Sequence, residues 1–195
     1  MSIEKQIVDY KDNIEDIEHW VTLKGEFRYE AIISFLKEKG IKRTWKNVTN
    51  YIKYDKRILV NSFKYLVVLE EMYKSFVYRD KPNNKVINYP FSKAYHEFLS
   101  LGEAARYDGI DLEIMKAKGK TLNVFRNRVV HNNILIKQKY NGLPLEEILR
   151  LFVEVLPKSY RDGFIKNIND CSKGLVEESW HIRLQNVFKQ EDKQD

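Results

Sequence analysis

The chain is short of the residues that break helices. Its 195 residues include 8 glycines and 4 prolines, which disfavours a sandwich of many short strands joined by Gly/Pro-rich turns. It has 1 cysteine, Cys171. That excludes an internal disulfide and a multi-cysteine zinc site, fits a reducing compartment, and leads us to expect a cytoplasmic protein. No apolar run approaches the ~20 residues of a membrane span, and the opening MSIEKQIVDYKDN lacks the apolar stretch of a secretory leader, so no membrane partner is expected. HExxH, CxxC, acidic-cluster and Walker-type patterns are missing too. The expectation is therefore no metal and no cofactor. Long blocks of one charge are also absent. Lys and Arg total 34 against 28 Asp and Glu, a net charge of +6. That excess permits a polyanion partner and equally describes a lysine-rich solvated surface.

What is present is helical periodicity. A chain of this length buries roughly 70% of its unfolded surface and needs no staple. We expect one domain over residues 1–195, with 1–40 as an N-terminal helical extension. IEKQIVDYKDNIEDIEHW carries Ile3, Ile7, Tyr10, Ile14, Ile17 and Trp20 at three- and four-residue spacing. FRYEAIISFLKEKG predicts a second helix closed by Gly40, and Thr44 is placed to cap WKNVTNYIKY. From Asp55 the strongest amphipathic segment runs to Arg79. Asp80 to Pro90 reads as a loop. Shorter helices are expected over 92–108, 109–119 and 120–131, then Pro144 in the first turn of a helix, a helix after Pro157, and a last one over LVEESWHIRLQNVF. The fold class is an all-α bundle.

One stretch concentrates polar chemistry: VFRNRVVHNN, Val124 to Asn133. On a helix at about 100° per residue, Asn127 and His131 differ by about 40° and share a face. Arg128 lies about 60° to the other side of His131, and Arg126 about 140° away. Arg126 therefore does not aim at His131 on an ideal helix. It reaches it by its long side chain, by distortion at the helix end, or from a second copy across a dimer axis. The plainer reading is a helix C-terminus, with His131 at the negative end and Asn132 or Asn133 as the left-handed exit.

RNRVVH resembles the signature of the HEPN superfamily (higher eukaryotes and prokaryotes nucleotide-binding domain): an Arg, four to six residues, then a His, often with a polar residue after the Arg. YDKRILVNSFKYLVVLEEMYKS, Tyr54 to Ser75, and FRNRVVHNNILI, Phe125 to Ile136, are similar to two segments of its Abi-like subgroup, named for bacterial abortive infection. Val130 stands where that subgroup usually has Ala. The resemblance covers about residues 44–79 and 121–136. It implies a HEPN-like helical bundle and a metal-independent endoribonuclease, an RNase toxin of phage defence or of a toxin–antitoxin pair. Arg126, Asn127 and His131 would be its catalytic residues, and Arg128 and Asn132 RNA contacts. RNA, a second copy of the chain and a cognate antitoxin or inhibitor (RNA or protein) would be its partners.

The chemistry of these side chains agrees. Cleaving RNA without metal needs a group that moves a proton from the 2′-hydroxyl or to the 5′-oxygen, and histidine titrates near ~6.5. It also needs fixed positive charge on the phosphorane, which a planar arginine supplies. Asn127 would orient His131 or donate to phosphate. Arg128 adds charge or forms a surface ion pair. Glu70 or Glu71 is expected to meet Arg126 or Arg128. His19 and His96 read as boundary residues on amphipathic helices, Asp55 and Arg57 as N-cap and bundle residues, and most of the 12 tyrosines as core. A non-catalytic helical module that binds RNA or a protein through the same Arg and His is the other class the sequence allows.

Overall fold

The computed structural model describes residues 3–176 and 180–185. Its order is α1 (Ile14–Lys24), α2 (Glu26–Glu38), α3 (Trp45–Asp80), α4 (Phe91–Ser100), α5 (Leu112–Val130), β1 (Lys139–Tyr140), β2 (Leu143–Pro144), α6 (Leu145–Val155) and α7 (Lys158–Asp170). The fold is an all-α bundle around α3, a 36-residue helix ~54 Å long at 1.5 Å per residue. Helices α2, α4, α5 and α7 all pack on it.

Local chemistry sets most boundaries. The Thr44 side chain accepts the Asn47 N–H at 3.2 Å and starts α3. Helix α2 ends with Gly40 at φ 67°. The Gly40 N–H reaches the Lys37 carbonyl at 3.2 Å and the Ile41 N–H reaches that of Leu36 at 2.9 Å. This is the Schellman closure that a left-handed glycine allows. The core carries an aromatic chain: Phe125 of α5 meets Tyr140 at 5.5 Å and Phe152 of α6 at 5.6 Å, and Phe152 meets Phe164 of α7 at 5.1 Å. Edge-on pairs of this kind add about 0.5–1.5 kcal/mol each beyond area burial.

Four expectations are corrected. The first periodic segment is not one helix: residues 3–5 and 10–12 form short 3-10 turns, and α1 begins at Ile14. Asp9 is drawn away to cap α3, its Oδ1 accepting the Trp45 N–H at 2.7 Å. Asp55 is no N-cap, because α3 runs through it from Trp45 and buries it completely. Gly119 does not divide two helices but lies inside α5, where the Tyr95 ring occupies the space a side chain would need. The last predicted helix is not helical over 175–176 or 180–185; its parts at 177–179 and 186–188 lie outside the described residues. Over 180–185 the chain is a strap tied to the bundle. The Ile182 N–H donates to the Tyr54 hydroxyl at 2.8 Å, and Leu184 exchanges two bonds with the Asn169 amide. After α5, Asn141 and Gly142, at φ 50° and 89°, turn β1 into β2, a two-residue hairpin with both turn residues left-handed.

Candidate nucleic-acid interface

Helix α5 delivers the polar stretch. Asp111 caps its start, accepting the N–H groups of Glu113 and Ile114 at 2.8 and 3.0 Å. Leu122, Phe125 and Val129 bury one face. Four residues apart, Phe125 and Val129 fix the rotation of the last turns, which leaves Arg126 half-buried and Asn127, Arg128 and His131 exposed. His131 is the C-cap. Asn132 follows at φ 54°, the Asn132 N–H reaching the Val129 carbonyl at 3.1 Å and the Asn133 N–H that of Arg128 at 3.0 Å. Asn132 is thus the left-handed exit that the plainer reading anticipated.

Beyond the exit the chain is held from α3. Asp55 Oδ1 accepts the backbone N–H groups of Leu135 and Ile136, each at 2.8 Å. Its other oxygen is buried without a hydrogen-bond partner. Burial pushes its carboxyl up to about 6, against the pull of the two N–H groups and of the positive charges on Arg28 and Lys56. Sequence reading assigned Asp55 to a cap. Nothing in the local pattern distinguishes an acid that caps its own helix from one that clamps a segment 80 residues away.

The five named residues divide into two groups. Arg126 turns toward α3 and α4. Its Nη2 lies 3.9 Å from Glu70 Oε2, its Nη1 donates to the Asn127 side chain at 3.2 Å, and its guanidinium stands 5.6 Å from the Phe91 ring centre. The pairing expected of Glu70 or Glu71 is made by Glu70, which also binds Lys74 at 2.8 Å. Asn127 contacts Arg126 through its side chain, while His131 meets it only through the backbone. Asn132 belongs to the second group: its carbonyl accepts from Arg28 at 2.9 Å and its side-chain oxygen from Lys56 at 2.8 Å. Arg128 is exposed and forms no ion pair among the described residues.

Asn132 also lines a cavity of about 540 Å³ with Lys24, Arg28, Ile52, Lys53, Lys56 and Arg57. Five of these seven side chains are cationic, and none is acidic. Arg57 is held by the carbonyls of Cys171 and Lys173 at 3.2 and 2.8 Å. Arg28 and Lys56 likewise bond to neutral oxygens of Asn132. None of the three makes an ion pair among the described residues, although the buried Asp55 carboxyl feels the charges of Arg28 and Lys56. The sequence reading named none of these cations as site residues. The one signal it had was Lys56 and Arg57 at four and three residues before Val60, on the outer side of α3. Among the described residues no group of three or more His, Cys, Asp and Glu side chains could hold a metal ion, and no helix is long and apolar enough to cross a membrane.

No protein-family model, curated protein or solved structure matches this chain.

Proposed function

We propose that this chain is a metal-independent endoribonuclease of the HEPN type, acting as an RNase toxin in phage defence or a toxin–antitoxin pair. The observation that carries the reading is the position of the helix exit. His131 is exposed at the end of α5, and the next residue, Asn132, is bonded by two cations of a cavity without a carboxylate in its wall. A phosphodiester drawn to those cations would lie beside an imidazole. The two segments that resemble the Abi-like subgroup also meet in space, because Asp55 clamps Leu135 and Ile136 and Lys56 bonds Asn132. In the reaction the 2′-oxygen attacks phosphorus and the 5′-oxygen leaves. His131 carries the proton, and arginine stabilises the phosphorane.

One chain holds Arg126 at Glu70, turned to α3 and α4. A homodimer answers this. Val60, Phe63 and Val67 form an exposed stripe on α3, 55%, 46% and 37% accessible. Along the helix it falls between Lys56, which bonds Asn132, and Glu70, which meets Arg126. A twofold axis through that stripe would bring two motif helices to one cleft, with one His131 to take a proton and the other to give one.

The Arg126–Glu70 pairing equally favours a second reading, a non-catalytic module that binds RNA or a partner protein, in which the arginine is structural. Incubating purified protein with labelled RNA in EDTA, beside His131→Ala, separates the two. Cleavage by the wild type that is abolished in the variant supports the nuclease. Salt-sensitive binding without cleavage supports the module.

A further inference from the structure

The cationic cavity does not end at Lys24 and Lys53. A second cavity of about 280 Å³ shares Lys24, Ile52 and Lys53 with it and continues to Trp20, Tyr29 and Trp45. Together they form one trough between α1–α2 and the first half of α3. Its two ends differ in chemistry. Trp20, 38% accessible, closes one end, with Lys24 Nζ 4.4 Å from its ring centre. Asn132 closes the other, next to His131. Between Thr49 and Lys56 the floor of α3 advances ~10 Å at 1.5 Å per residue. None of Lys24, Arg28, Lys53 and Lys56 pairs with a carboxylate among the described residues.

We infer that this trough carries a single strand of RNA to His131, with Trp20 stacking a base and Lys24, Arg28, Lys53 and Lys56 contacting its phosphates from the two walls. The inference rests on the RNase reading for the direction of the strand. It rests on the trough alone for the ligand chemistry. Unpaired nucleic acid presents charge and a flat apolar face in alternation, and grooves that bind it combine cations with aromatic platforms. A duplex would offer phosphates but keep its bases from Trp20. The recess between α2 and α3 also suits a strand better than the convex edge of a helix pair. An acidic peptide would satisfy the lysines but leave the Trp20 end unexplained.

The test uses the full chain carrying His131→Ala, so that the strand stays intact, and fluorescence anisotropy with a short labelled single-stranded RNA. Lys24→Glu and Lys53→Glu should each weaken binding by ~10-fold or more. Each should also lower the slope of log affinity against log salt by about 0.7, the value for one phosphate left unneutralised on a single strand. Trp20→Ala should weaken binding about 5- to 100-fold by removing the stacking platform, and Trp20→Phe should remove most of the tryptophan quenching seen on titration with RNA. Lys85→Glu and Lys166→Glu, exposed lysines outside the trough, make the same charge change and should leave affinity within about 2-fold. Trough variants that bind no worse than these controls overturn the inference. So do duplex RNA competing equally while Trp20→Ala has no effect, and absence of any binding by His131→Ala. The two readings fail separately. Binding through the trough without EDTA-resistant cleavage by the wild type sinks the nuclease and keeps the trough. Cleavage by the wild type with unimpaired trough variants does the reverse.

Discussion

Asp55 Oδ1 accepts the Leu135 N–H at 2.8 Å across 80 residues of chain, and the same oxygen accepts the Ile136 N–H. Since Leu135 is three residues past Asn132, this clamp fixes where the chain leaves the motif helix. A buried acid on α3 thus sets the position of an exposed histidine it does not touch.

The clamp should be visible in the pH dependence of stability. Burial raises the Asp55 carboxyl from 3.8 to about 6, so the folded chain holds this proton more tightly than the unfolded chain does. The resulting stability is complete below about pH 4 and disappears as pH rises through about 6. At 1.36 kcal/mol per pH unit the difference approaches ~3 kcal/mol. Urea unfolding of the wild type and of Asp55→Asn from pH 4 to 7 should show the wild type losing about that much relative to the variant, which cannot titrate. Parallel profiles would remove the buried carboxyl from the account. Asp55→Ala, which strands two backbone donors, should cost about 2–5 kcal/mol at any pH.

Gly119 should resist substitution although it lies in a helix interior. A methyl group there would strike the Tyr95 ring, whose hydroxyl donates to the Met115 carbonyl. Alanine elsewhere in a helix gains about 1 kcal/mol over glycine. Here overpacking should reverse the sign, to a net loss of about 1–3 kcal/mol. A thermal melt of Gly119→Ala at or above the wild-type midpoint would contradict the contact.

These two positions also show what the sequence made legible and what it hid. Helical periodicity identified the bundle and the central helix, because a strong amphipathic face repeats every three to four residues. Thr44 and Gly40 were legible because caps are local chemistry. Gly119 misled because glycine is read as a breaker unless one knows that Tyr95 fills its place. Asn141-Gly142 is a local hairpin signal, two residues that tolerate left-handed backbone between short extended runs. The trough was invisible because its cations come from three helices, Lys24 from α1, Arg28 from α2 and Lys53 and Lys56 from α3, and scattered charge becomes a patch only after folding. The motif itself was visible as a short pattern. The engagement of Arg126 by Glu70 was anticipated only as one of four pairings.

The exposed stripe on α3 should govern association. Phe63→Glu and Val67→Glu place charge on a face that is solvated in a single chain, so each should change folding stability by roughly 0.5 kcal/mol or less. In a dimer built on that face the same charges would be buried without partners. Sedimentation should find the wild type near twice 23.3 kDa and both variants near one chain. A monomeric wild type with full RNase activity would eliminate the composite cleft.

If Arg126 stabilises the phosphorane, Glu70 competes with RNA for it, since the carboxylate lies 3.9 Å from its Nη2. Lys74, 2.8 Å from the other Glu70 oxygen, already compensates that charge, so Arg126 can leave without stranding a bare carboxylate. Arg126→Ala should therefore cost on the order of 10²–10³ in cleavage rate and less than about 1 kcal/mol in stability. Arg126→Lys should rescue poorly, because an ammonium lacks the planar paired donors. Glu70→Gln should retain or raise activity in the Arg126 background and do nothing for Arg126→Ala. His131→Ala should cost on the order of 10²–10⁴. If the nucleophile is the RNA's own 2′-oxygen, as proposed, products should end in a 2′,3′-cyclic phosphate and begin with a 5′-hydroxyl, and DNA should survive. End-group analysis decides this directly. A 3′-hydroxyl and 5′-phosphate would mean that water attacked instead, and full cleavage by His131→Ala would remove His131 from the mechanism.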